Sequence, residues 1–280
     1  MEYAMKLDHL TKDFGAFALK DVSFAIPGGT ILGLIGENGA GKSTLIKSML
    51  GIAKPSGGSV TLLGTDPDHA KEDIGVVMDD CFFSEYLRVK DVNSVLSRVY
   101  RDWDKALFQS YLDKFSVAGA KSIKELSRGM RMKLSLAAAL AHKPKLLLLD
   151  EATAGLDPVA RDEILDLLLE FIQDEERSVF FSSHITSDIQ KIADYVVLIH
   201  QGKIVFEEEK DVLLDRYGIL RCPRGTEVGP GDYIARRETG VSAEYLVRDR
   251  AAAGREHPKA VADAASLEDI MLFYIKGEAS

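Results

Sequence analysis

The stretch Thr30–Gly51, "TILGLIGENGAGKSTLIKSMLG", changes character twice within one short run. Its opening, "TILGLIG", is apolar and stops at a glycine, which suits a strand buried on both faces. Its end, "KSTLIKSMLG", sets Leu45, Ile46, Met49 and Leu50 on one helical face and stops at Gly51. Between them "GENGAGKS", Gly36 to Ser43, is polar and glycine-bearing. Strand, glycine loop and helix therefore follow one another.

The loop fits G-x-x-x-x-G-K-[ST] in the strand-to-helix context that the motif requires. Glycines let backbone N–H groups turn inward around phosphate oxygens. The helix that follows offers the positive end of its dipole to the same anion. Lys42 is expected to reach the terminal phosphates of a nucleoside triphosphate, and Ser43 to ligate Mg²⁺. Gly36, Asn38, Gly39, Ala40, Gly41 and Thr44 complete the expected nucleotide contacts. The plain alternative is an ordinary glycine turn. Kinases, GTPases and motors share such a loop, so by itself it says only "nucleoside triphosphate".

A second site narrows the choice. "KLLLLDE" is a continuous apolar run that presents Asp150 and Glu151 at its end. Asp150 is placed to hold Mg²⁺, directly or through water. Glu151 is placed to orient and deprotonate an attacking water. A strand that merely ends in two solvated acids is the competing explanation.

The remaining chain reads as one α/β unit with an insert and a tail. "YAMKLDHL" and "ALKDVSFAI" are strand-like. From about 84 to 143 the pattern is mostly helical. "SVFFSSH" and "YVVLIHQGKIVFEE" read as further strands or a hairpin region. After about 210 the chain becomes rich in glycine and charge, and "SLEDIMLFYIKG" closes it as a helix capped by Ser266. Asp157-Pro158 is a cap and first-turn pair for another helix. The 280 residues, 46% hydrophobic and 28% charged, suffice for a sizeable core. A net charge of -9 argues against general affinity for nucleic acid. Cys81 and Cys222, with no metal-ligand spacing, suit a reduced compartment. No window reaches the ~20 apolar residues that span a bilayer. Any role at a membrane is therefore expected to pass through a partner.

"GENGAGKST", "LSRGM", "LLLLDEATAGLDP" and "SSH" occur in that order. The conjunction resembles the ATP-binding subunit of an ABC transporter and covers about residues 3 to 210. The resemblance implies that "LSRGM", Leu126 to Met130, stands at the family's signature. Ser127 and the Gly129 N–H would then bind the γ-phosphate of the nucleotide held by the opposite subunit of a dimer. Ser127 would also cap its own helix. The resemblance further implies a dimer-interface role for Asp157, a γ-phosphate contact for the switch histidine His184, and adenine stacking for Phe14. Phe17 competes for that last role, and a core aromatic is the plainer reading of either ring.

Two departures stand out. Asp79 aligns with the family's usual glutamine, whose carbonyl helps hold Mg²⁺, and is expected to ligate the metal itself. Arg128 and Met130 replace the usual glycine and glutamine of the signature. The apolar "CFF", Cys81 to Phe83, is either a docking point for a membrane partner or buried between subdomains.

The expected fold is α/β: a P-loop ATPase core with a mixed sheet over residues 1–210, an inserted helical subdomain at about 84–143, and a small α+β appendage at 211–280. The expected function is ATP hydrolysis that powers transport through a separately encoded transmembrane permease, by ATP-driven closure of a homodimer or heterodimer. Lys42, Glu151 and His184 would be catalytic, and Ser43, Asp79 and Asp150 would hold Mg²⁺. Location at the inner face of the cell membrane follows. The resemblance leans toward bacterial exporters of the ABC-2 type. The alternatives are an ABC-type ATPase without a channel partner and an ATP-sensing regulatory module.

Overall fold

The computed structural model describes residues 3–223, 228–238 and 242–279. Two antiparallel strands, β1 (Tyr3–Asp13) and β2 (Ala18–Pro27), lead into β3 (Ile31–Ile35) and helix α1 (Lys42–Met49). Next come β4 (Gly57–Leu62), the short α2 (Pro67–Ala70) and β5 (Ile74–Val77). The helical insert holds α3 (Val89–Leu96), α4 (Lys105–Lys114) and α5 (Arg128–Leu140). The chain returns through β6 (Leu146–Asp150), α6 (Pro158–Phe171), β7 (Ser178–Ser183), α7 (Thr186–Ile192), β8 (Tyr195–His200) and β9 (Lys203–Glu209). The last part contains α8 (Lys210–Arg216), β10 (Gly218–Pro223), β11 (Ala235–Glu238), β12 (Ser242–Val247), α9 (Arg250–Glu256), β13 (Val261–Ala264), α10 (Leu267–Lys276) and β14 (Glu278–Ala279).

The central sheet has the order β5-β6-β7-β3-β8-β9. All its pairs are parallel except β8 with β9, so the sheet is mixed, as expected. Strands β3, β6 and β7 are wholly buried, which explains their largely apolar sequences. Side chains still alternate between two cores. Leu147 and Leu149 join the cluster formed with α5 and α6, while Leu146 and Leu148 join α1 and the β1–β2 layer. Gly33 in β3 lets α7 approach, since a Cβ there would lie 2.3 Å from Ile189 Cγ2.

Adjacent parallel strands need a crossover. The one from β5 to β6 is the helical insert, anchored by Val89, Val92, Phe108, Leu112 and Leu134. The three residues of "CFF" divide between the two expectations. Cys81 and Phe83 pack on the main core, whereas Phe82 is 74% exposed.

A separate small sheet, β2-β1-β4, is antiparallel and covers α1. A third sheet, β13-β10-β12-β11-β14, is built from residues after 217. One of its faces carries Ile219, Ala235 and Leu246 into the main core beside Leu267, Ile270 and Phe273 of α10. The other carries Leu220, Cys222, Tyr245 and Val247 into a smaller cluster closed by Ala253 of α9. Both cysteines are free thiols. Among the described residues no helix is long and apolar enough to cross a membrane.

Candidate active site

The order β6-β7-β3 puts three strand ends side by side at one edge of the central sheet. From β3 the chain enters the glycine loop. Gly36 is required there because a Cβ would lie 2.5 Å from the Ile199 carbonyl oxygen of β8. Gly41 is required twice over. Its φ is +115°, and a Cβ would lie 2.7 Å from Cζ of Phe17. Lys42 opens α1 and is buried, with its Nζ donating to the carbonyls of Gly36 at 2.7 Å and Glu37 at 3.1 Å. The ammonium thus curls back into the loop that its own backbone forms.

β6 delivers Asp150 and Glu151. Asp150 is buried, and its Oδ1 accepts a hydrogen bond of 2.7 Å from the Ser182 hydroxyl of β7. The Glu151 N–H donates to the Ser182 carbonyl at 3.1 Å, and Glu151 adopts a φ of +51°. A left-handed conformation in a non-glycine residue costs on the order of 1–3 kcal/mol and persists where its surroundings fix it. The turn aims the carboxylate at the loop. Its Oε1 lies 3.0 Å from Lys42 Nζ as a charge contact, not an aligned hydrogen bond. Its Oε2 lies 2.6 Å from Nδ1 of His184, just beyond β7. With Glu151 ionised, Nδ1 is the protonated nitrogen. Lys42, Glu151 and His184 are thereby joined in one chain of contacts, and the buried charges are paired, as burial demands.

Ser43 and Asp150 offer hard oxygen donors beside this cluster. No group of three or more His, Cys, Asp or Glu among the described residues would hold a metal alone. That combination fits Mg²⁺, which binds through one or two protein oxygens plus substrate phosphates. Glu151 Oε1, buried without an aligned donor, shows that the pocket has hydrogen-bonding capacity to spare.

The signature residues lie elsewhere on the surface. Ser127 is the exposed N-cap of α5, and its Oγ accepts from the Met130 N–H at 3.2 Å. Its hydrogen bonds stay within its own turn. Gly129 adjoins the loop before α6, since a Cβ would meet Leu156 at 3.6 Å. Asp157 caps α6, its Oδ1 accepting from Ala160 at 3.0 Å and Val159 at 3.1 Å. The Ala160 N–H, foremost, holds this carboxyl below the usual carboxylate range. The start of α5 is thus partly exposed, whereas the first N–H groups of α6 are taken up by its own cap.

Of the two candidate aromatics, Phe17 is tucked against Gly41, while Phe14 is 54% exposed with Lys12 Nζ 4.9 Å above its ring. Asp79 follows β5, whose Val77 pairs with Leu149 of β6, so it sits at the same sheet edge as Asp150 and Glu151. Its carboxylate is engaged by Arg128. Sequence reasoning passed over Ser182, which fixes both acidic residues. The available signal was a hydroxyl in the wholly buried strand "SVFFSS". It also passed over the approach of His200 Nδ1 of β8 to Glu37 Oε1 of the loop, 3.0 Å apart without an aligned hydrogen bond.

A phosphate-binding loop, a strand-borne acidic pair and a histidine at adjacent strand ends define a nucleoside triphosphatase. The chain belongs to the family of ABC transporter ATP-binding subunits. The family profile "ABC transporter" matches residues 19–154. The bacitracin transport ATP-binding protein BcrA of Enterococcus faecalis is 34% identical over 217 residues, covering 74% of this chain and 70% of that one. The lantibiotic transport ATP-binding protein SrtF of Streptococcus pyogenes is 32% identical over 211 residues, covering 74% and 91%. Among solved structures, cbiO1 of Clostridium perfringens, part of the ABC transporter complex cbiONQ, superposes with a TM-score of 0.64 at 26% identity, covering 75% and 90%. The chain is accordingly an ATP-binding ATPase subunit of the transporter class, with the P-loop fold.

Proposed function

We infer that this subunit hydrolyses ATP as one half of a two-fold pair and so drives a solute through a separately encoded membrane-spanning partner at the inner face of the cell membrane. The observation that carries the reading is the contact chain Lys42–Glu151–His184 at the end of β6. Lys42 leaves the carbonyls of its loop to meet the terminal phosphates. Glu151 takes the proton of the attacking water. His184, held through Nδ1–H by Glu151 in this state, would donate a ring N–H to the γ-phosphate once Glu151 turns to the water. Mg²⁺, when bound with the nucleotide, neutralises phosphate charge, and Ser43, Asp150 and Asp79 are the residues that would hold it. Gly36, Asn38, Gly39, Ala40, Gly41 and Thr44 wrap the phosphates, and Phe14 offers the free aromatic face to adenine.

Ser127 and Gly129 would complete the partner's pocket. The free N-terminus of α5 suits an anion, and a two-fold axis would give two composite sites, with Asp157 close to the axis. The membrane partner would enter the apolar recess of about 220 Å³ lined by Val76, Met78, Phe82, Phe83 and Leu96. Residues 1–210 would form the ATPase unit, with the helical subdomain at about 84–143, and 211–280 a C-terminal appendage part of which shares its core. Two of the named relatives are a bacitracin and a lantibiotic transport protein, which supports transport; the lean toward export rests on the sequence resemblance.

Glu151→Gln tests the assignment. It should bind ATP as the native protein does, form a pair detectable by light scattering on ATP addition, and turn over ~10²–10⁴-fold more slowly. Native-like turnover would remove Glu151 as the base.

A further inference from the structure

The two departures of this chain from its family's pattern touch each other. Arg128 of the signature turn places Nη2 within hydrogen-bonding reach of Asp79 Oδ1, although 49 residues separate them. The same guanidinium lies over the loop before α6, since a Cβ on Gly155 would meet Arg128 Nη1 at 3.1 Å. Arg128 therefore spans three segments: the turn after β5, the start of α5 and the loop that leads to Asp157. Aspartate and arginine sum to zero, so the pair is neutral as a unit.

We propose that Arg128 is a positioning residue that neutralises Asp79 and ties the start of the signature helix to the edge of the central sheet where the phosphates bind. Without Arg128, a bare carboxylate at that edge faces the triphosphate and repels it unless a cation intervenes. Without Asp79, the guanidinium loses its anchor and α5 loses a link to the core. Both side chains are about half exposed, so the coupling is sensitive to salt. The inference rests on ATP binding at the phosphate loop.

The test is a double-mutant cycle with Asp79→Gln, Arg128→Gln and both together. The readouts are ATP affinity in EDTA and in Mg²⁺ at low and high salt, and hydrogen exchange of the first turn of α5 without nucleotide. Arg128→Gln should weaken metal-free ATP binding about tenfold, and much less with Mg²⁺ present. Adding Asp79→Gln should restore it to within about twofold. Exchange at the start of α5 should quicken in either single variant. The reciprocal swap, Asp79→Arg with Arg128→Asp, should recover the native exchange rate. Effects that merely add in the double variant, or that ignore salt and Mg²⁺, would overturn the pairing. Absence of ATP binding by the native protein would instead overturn the functional assignment beneath it.

Discussion

Gly41 shows how tightly single positions constrain the site. Its φ of +115° and the ring of Phe17 beneath it leave no room for a methyl group. Gly41→Ala should therefore abolish ATP binding by calorimetry and also lower thermal stability, because the added methyl group would press on Phe17 and Leu19 where α1 begins. Full ATP affinity in that variant would mean that the loop rearranges freely. Much of this site was legible in the sequence because loop, acids and histidine each sit in a run of distinctive type. "GENGAGKS" is polar between apolar flanks, and "LLLLDE" ends a buried run in charge. What stayed hidden was partnership. Arg128 and Asp79 each read as a lone departure, since nothing local announces a contact made across 49 residues. Ser182 read as one more strand residue, although its hydroxyl and carbonyl hold Asp150 and Glu151 together.

Among the described residues two α-helices begin with a serine cap, and they separate stability from function. Ser266 caps α10 in a reciprocal arrangement with Asp269, and Ser127 caps α5 with the N–H of Met130. Either serine replaced by alanine should cost roughly 0.5–2 kcal/mol of stability in denaturant melts. Only Ser127→Ala should also cut ATPase turnover beyond what its stability loss explains; equal turnover in the two variants would leave Ser127 a cap and nothing more. The helical insert carries a titratable element of its own. His142 stacks on Tyr100 at 4.2 Å, and its Nε2 lies 3.2 Å from the Ile74 carbonyl. Burial, foremost, pushes this imidazole below its ordinary value. The unfolded chain then binds a proton more readily than the folded one. The contribution of His142 is thus complete above the ordinary histidine value of ~6.5 and declines as pH falls through the window below it. His142→Phe should flatten the loss of thermal stability between about pH 7 and 5; an unchanged slope would remove the residue from that role. Short amphipathic pieces were the least legible elements. β4 carries two glycines and faces solvent for half its length, and α7 completes barely two turns between strands. Neither has a run long enough for its period to be read.

The C-terminal residues read in sequence as an appendage, yet their packing unites them with the rest of the molecule. Phe273 of α10 is 1% exposed within the same core as Leu168, Phe181 and Ile189. Tyr274 meets Phe206 of β9 with ring centroids 5.5 Å apart. Tyr217, buried where the last strand of the central sheet passes into the third, hydrogen-bonds Glu208 at 3.1 Å. The apolar residues of α10 pack on the main core, while those on the outer face of the third sheet form a smaller cluster of their own. A domain that shares a core with its neighbour melts with it. Phe273→Ala, far along the chain from His184, should cost about 3–5 kcal/mol. The loss should appear as a single calorimetric transition lowered in temperature, with ATP still raising it, since a ligand that binds only the folded state stabilises everything that unfolds with its site. Two separated transitions, with only the upper one answering to ATP, would instead make the tail an independent body and its contact with α7 incidental.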